Sequence, residues 1–124
     1  MASEIIWEEG GILVKHSGTV TSQEVMSIND MIYGDIRFEK IIFQIADYTA
    51  VKHNRISVKT AKIVGTLDRT SSIWNTKKMR LAIITADENF IPVAEAYFKE
   101  FIGTVWEGRI FDSLDLAYHW VRSA

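Results

Sequence analysis

The chain has no cysteine, a single proline and no long apolar run. Without cysteine there is no disulfide scaffold, no thiolate metal site and no cysteine nucleophile. The longest apolar runs, such as residues 81–84, fall far short of the roughly 20 residues a membrane helix needs. No basic stretch followed by an apolar segment opens the sequence, so a secretion signal is not expected and a cytoplasmic location is. Chemistry-bearing motifs are missing too: there is no GxGxxG, GxxxxGK[ST], GxSxG or HExxH. His16, His53 and His119 lie far apart, none with a second ligand at metal spacing, and read as surface or hydrogen-bonded histidines. Glu8-Glu9 falls at a turn and Asp87-Glu88 just before a helix. Acid at a helix N-terminus complements the helix dipole, which also accounts for Asp112 and Asp115. No enzymatic activity, metal or cofactor is expected.

What is present is enough for a core. The 124 residues are 48% hydrophobic and 24% charged, which reads as one domain. A chain of this size folds from about 20,000 Å² of accessible surface to roughly 7,000 Å². The charge is uneven. Between Lys52 and Arg80 there are eight basic residues and one acid, Asp68, giving +7, so the remainder sums to −9. Such asymmetry can steer an acidic partner.

Ile5-Ile6-Trp7-Glu8-Glu9 and Ile12-Leu13-Val14-Lys15-His16 flank Gly10-Gly11 and predict a hairpin whose two glycines take positive φ. Thr21 and Glu24 fit a capping box, Glu24 reaching back to the Thr21 amide. Val25, Ile28 and Ile32 follow at helical spacing up to Gly34. The runs 40–46 and 80–85 read as central strands covered on both faces. Ile42, Phe43, Ile45, Leu81, Ile83 and Ile84 are their expected buried residues. Between these strands, Ile56, Thr60, Ile63, Leu67 and Trp74 form one helical stripe flanked by Arg55, Lys59, Lys62 and Arg69. Gly65 in its middle marks a close contact or a bend. A second, aromatic helix over 90–102 contains Pro92 in its first turn. A strand over 106–111 and a last helix opened by Asp112-Ser113 complete the order. The alternation predicts a single α/β domain: a mixed, mostly parallel five-stranded sheet with an N-terminal β-hairpin and about four helices.

This order, together with three local signatures, resembles the STAS domain and in particular its SpoIIAA-like branch. The signatures are Val14-Lys15-His16-Ser17-Gly18-Thr19-Val20-Thr21, the central strand 41–46 closing on Asp47, and the terminal stretch Arg109-Ile110-Phe111-Asp112-Ser113-Leu114-Asp115-Leu116-Ala117-Tyr118-His119-Trp120-Val121. The resemblance covers essentially the whole chain and implies a non-catalytic regulatory or interaction domain. In that family a regulatory serine lies within Asp-Ser-Ser-Gly, some eight residues after the strand-ending Asp. Counted from Asp47, the tetrapeptide falls on Arg55-Ile56-Ser57-Val58. Only Ser57 matches, and it stands where a helix-capping residue would.

Two readings of the surface result. In the first, a loop over 47–54 opened by Asp47 and the basic helix 55–74 (Arg55, Ser57, Lys59, Lys62, Arg69) engage an acidic protein partner. In the second, an apolar ligand sits in a pocket of Trp74, Phe90, Tyr97, Phe98, Phe101 and Trp106, or the aromatic helix 90–102 and the basic helix meet an anionic membrane surface. Nucleic acid is not expected, because the basic stretch lacks interleaved aromatics and the net charge is −2. A homodimer is compatible with either reading.

Overall fold

In the computed structural model, which describes residues 3–74 and 77–123, the two apolar runs expected at the centre of the sheet lie side by side. Phe43–Arg55 (β3) pairs in parallel with Met79–Ile84 (β4), Phe43 opposite Arg80 and Asp47 opposite Ile84. On its other side β3 runs parallel to Gly11–Thr21 (β2), which folds back antiparallel on Ser3–Glu8 (β1). Trp106–Phe111 (β5) closes the far edge beside β4. The order β1-β2-β3-β4-β5 is the mixed, mostly parallel five-stranded sheet that the alternation predicts. Four helices accompany it: Ser22–Tyr33 (α1), Val58–Trp74 (α2), Ile91–Lys99 (α3) and Leu114–Arg122 (α4).

Strand side chains alternate between faces, and the two faces are covered unequally. Leu13, Phe43, Ile45, Ala82 and Ile84 pack beneath α4 through Ala117 and Val121. The opposite side holds Ile12, Val14 and Leu81 with Ile28 and Ile32 of α1, and Phe101 and Trp106. Beside them Val20, Tyr48 and Ile83 pack with Phe90 and Ala94 at α3.

The local signals hold with three adjustments. Thr21 caps α1, its hydroxyl accepting from the Glu24 amide at 3.2 Å, but the Glu24 carboxylate turns to that hydroxyl at 3.5 Å and not to the Thr21 amide. At the hairpin only Gly10 has positive φ, +79°. Gly11 is instead the first residue of β2, and a Cβ there would come within 2.4 Å of the Phe43 ring. Ile42, expected in the core, is 52% exposed. It precedes β3, its amide donating to the Gly10 carbonyl at 2.7 Å, outside the two apolar layers.

Two larger expectations are corrected. Residues 47–54 are not a loop. β3 continues through them to Arg55, paired with β2 across two register shifts as far as Thr21–Arg55, while β4 stops opposite Asp47. β2 and β3 therefore run on together past the end of β4. The second correction is the phase of α2. Its buried residues are Thr60, Ala61, Val64, Gly65, Asp68 and Ser72, whereas Ile63, Leu67 and Trp74 are exposed. The buried face is turned by about one residue, some 100°, from the apolar stripe. The cause is packing: Gly65 lies so close to α3 that a Cβ would meet the Tyr97 carbonyl at 2.7 Å. That approach brings small residues inward and leaves the larger aliphatic ones outside.

Candidate functional site

α2 begins in a set of short-range hydrogen bonds. Asn54 Oδ1 accepts from the Ile56 amide at 3.1 Å, and Ser57 Oγ accepts from the Thr60 amide at 3.0 Å. Ser57 also donates to the Thr60 hydroxyl at 3.0 Å, while its own amide donates to Ser22 Oγ on α1 at 3.2 Å. Ser57 is thus the N-cap residue that its position suggests. Its neighbour Arg55 ends β3 and is exposed.

Along the outer face of α2, Lys59 and Lys62 are exposed and make no ion pair among the described residues. With Val58, Ile63, Thr66 and Leu67 they line a shallow surface groove. Arg69 continues the same side and donates to the Glu100 carbonyl at 3.3 Å. Trp74, at the end of α2, is 85% exposed. The displaced apolar stripe therefore lies beside the basic one, and the outer face carries both. Asp68, the one acid of the stretch 52–80, is turned inward and buried, so it does not offset this charge at the surface.

Asp47 is apart from that face. It sits within β3 and accepts from the Thr49 amide at 2.9 Å and the Thr49 hydroxyl at 2.7 Å. The six aromatic residues expected around one pocket do not converge. Trp74 is on the surface, and Phe101 and Trp106 are fully buried against Phe38 and Met79 in the α1-side core, with Phe98 packed on them. Their ring-to-ring contacts are those of an ordinary aromatic core. The helix is also shorter than 90–102, ending at Lys99, with Phe90 and Phe101 buried and Tyr97 and Phe98 half-buried.

Phe90 and Tyr97 do line a cavity, a different one. It measures about 110 Å³ and lies between the sheet and α1, α2 and α3, with Val14, Ile28, Ile45 and Ala94 among its wall residues. Four polar residues on its wall, His16, Asn29, Gln44 and Tyr48, have no site role in the sequence reading. His16 on β2 stacks on Tyr48 on β3, centroids 4.5 Å apart and planes 20° from parallel. Burial pushes the His16 imidazole down from 6.5 to about 4, against the opposing pull of Asp47. Burial likewise raises the Tyr48 phenol. The strand extension could have flagged them, since the β2–β3 register brings residues near 16 and 48 together. Next to this cavity Asp68 accepts from Tyr33 at 2.5 Å and from Tyr97 by a shorter bond. Burial raises its carboxyl to about 6, while the two phenols pull the other way. Among the described residues, no three histidine or acidic side chains gather as a metal site would require, and no helix is long and apolar enough to cross a membrane.

The architecture has solved counterparts. The chain superposes on the anti-sigma factor antagonist SpoIIAA in its unphosphorylated form with a TM-score of 0.65 at 14% identity, covering 99% of this chain and 100% of that one. An anti-sigma factor antagonist from Mycobacterium paratuberculosis gives 0.59 at 15% identity over 98% and 93%. An uncharacterised DUF3478-family protein with a SpoIIAA-like fold from Shewanella loihica PV-4 gives 0.51 at 18% identity over 97% and 92%. The fold is SpoIIAA-like across nearly the whole chain. No protein-family model matches the sequence, and neither does any curated protein.

Proposed function

We propose that this chain is a non-catalytic interaction module that engages an acidic protein partner through the outer face of α2. The observation that carries this reading is the composition of that face: Lys59 and Lys62 beside Val58, Ile63 and Leu67 around one groove, with Asp68 withdrawn into the interior. Exposed aliphatic side chains rimmed by cations suit a partner that brings apolar contact together with carboxylates. Two of the structures with this fold are anti-sigma factor antagonists, proteins named for acting on another protein, which favours an interaction role. Arg55, exposed at the end of β3 three residues before α2 begins, adds a further cation to this reading.

The test is the double reversal Lys59→Glu/Lys62→Glu, purified from the source cell beside the wild type at low and high salt. Both lysines are exposed, so melting should shift by no more than about 0.5 kcal/mol. A partner retained by the wild type should be lost by the variant, and its retention should weaken with salt as attraction screens within about 8–10 Å. A variant that keeps the same partners at every salt concentration refutes the reading. Retention on anionic vesicles with no protein partner would assign the face to a membrane surface instead.

A further inference from the structure

The cavity beneath α2 follows from the way that helix packs. Gly65 draws α2 onto the α3 backbone, and the residues it turns inward over the sheet are small, Ala61 and Val64 among them. Space of about 110 Å³ is left between helix and sheet, walled mostly by hydrocarbon from Ile28, Ile45 and Phe90. His16, Asn29, Gln44 and Tyr48 interrupt that wall, and of these His16 and Tyr48 are more than nine-tenths buried and stacked ring on ring. Ser3 Oγ lies 2.6 Å from His16 Nδ1, but neither His16 Nε2 nor the Tyr48 hydroxyl has a hydrogen-bond partner among the described residues. Neither atom is fully enclosed, unlike the unpaired Glu24 Oε2 and Trp106 Nε1 elsewhere in the fold, so both stay open to a partner at the cavity wall.

We propose that this cavity binds a small neutral ring compound bearing one hydroxyl, of the size of phenol, with its ring against the apolar wall and its oxygen hydrogen-bonded by His16 and Tyr48. The volume is of the order of the roughly 150 Å³ that accommodates a benzene ring in an apolar protein cavity. Charge of either sign on the ligand is disfavoured, because no lysine, arginine, aspartate or glutamate lines the cavity to compensate its desolvation. The imidazole and phenol offer one donor or acceptor each to a neutral oxygen. This site is separate from the outer face of α2, and its test does not depend on a protein partner.

The isotope-labelled full chain is titrated with phenol and with benzene, following backbone amide resonances. Both probes should give saturable shifts centred on Val14, Ala46 and Val93, with phenol binding more tightly. Tyr48→Phe keeps the ring and removes the hydroxyl. It should weaken phenol by about five- to tenfold and leave benzene within about twofold, the loss expected for one hydrogen bond. Val25→Phe, which places a ring into the space from α1, should weaken both probes. Absence of saturable shifts, shifts centred elsewhere, benzene binding without phenol, or equal phenol affinity in Tyr48→Phe would each overturn the proposal. Failure of Tyr48→Phe to fold would overturn it as well, since the hydroxyl would then be structural.

Discussion

Tyr33, the last residue of α1, donates its hydroxyl at 2.5 Å to Oδ1 of Asp68 in the middle of α2. The second carboxylate oxygen takes the hydroxyl of Tyr97 on α3. One buried carboxylate therefore joins the three helices on this side of the sheet. It also explains why α2 faces inward along Thr60, Val64 and Asp68 and not along Ile63 and Leu67.

Removing that carboxylate leaves two buried phenols without acceptors. Asp68→Ala should cost about 2–5 kcal/mol, the desolvation penalty of two unsatisfied hydroxyls. Chemical denaturation of both proteins at neutral pH measures it, and a loss under 1 kcal/mol would show that α2 does not depend on this contact.

The same group gives a pH dependence of unusual sign. Burial raises Asp68 to about 6 from 3.8, so between these values the folded protein holds the extra proton. Its stabilising contribution is full below the unfolded value and is lost as pH rises through about 6. Relative to Asp68→Asn, which does not titrate, the wild type should lose about 1–2 kcal/mol between pH 5 and pH 7.5. A constant difference across that range would contradict the assignment.

His16 works in the opposite direction. Its folded value near 4 lies below the usual 6.5, so the unfolded chain takes up the proton first. Its contribution is full above about pH 6.5 and is lost as pH falls toward 4. Compared with His16→Phe, the wild type should lose about 2 kcal/mol between pH 7.5 and pH 5. The imidazole Cε1 proton should titrate with a midpoint near 4 and not near 6.5, a value read directly by NMR.

Gly65→Ala sets two effects against each other. Alanine gains about 1 kcal/mol of helix propensity, but its Cβ would lie 2.7 Å from the Tyr97 carbonyl and 2.8 Å from the Glu100 side chain. A backbone oxygen cannot swing aside, so overpacking should win. The variant should be destabilised by about 1–3 kcal/mol, and a raised melting temperature would show that α2 can move off α3.

Ser57→Ala should cost about 1 kcal/mol, because the hydroxyl caps α2 through the Thr60 amide. Ser57 is not expected to be a phosphorylation switch, since Arg55 and Val58 stand where the resembling motif has an acid and a glycine. Mass spectrometry of the protein from its source cell should find it unmodified, and stoichiometric phosphoserine would contradict this.

The sheet was legible in advance because its signals are local. Nearly continuous, isoleucine-rich apolar runs at 41–46 and 81–84, a Gly-Gly hairpin and helix caps such as Thr21 all act over a few residues, and each points to the same α/β order. Ile42 was misplaced because a run of apolar residues does not say where a strand begins. The stretch 47–54 was misread because its strand character comes from pairing with β2, a partner more than 30 residues away. The aromatic residues were correctly seen as apolar, yet their grouping into one pocket failed. Phe90 and Tyr97 reach the cavity, whereas Phe98, Phe101 and Trp106 fill the neighbouring core.

The sequence by itself determined the class, the element order and the concentration of positive charge between Lys52 and Arg80, because these depend on residue type and short-range spacing. Tertiary structure decided which way α2 faces. Both sides of that helix carry apolar residues, and periodicity alone favours the larger ones. Only the contact of Gly65 with α3, and the two phenols waiting for Asp68 from α1 and α3, turn the small side inward. That rotation places Ile63 and Leu67 beside Lys59 and Lys62 at the surface and opens the cavity where His16 meets Tyr48.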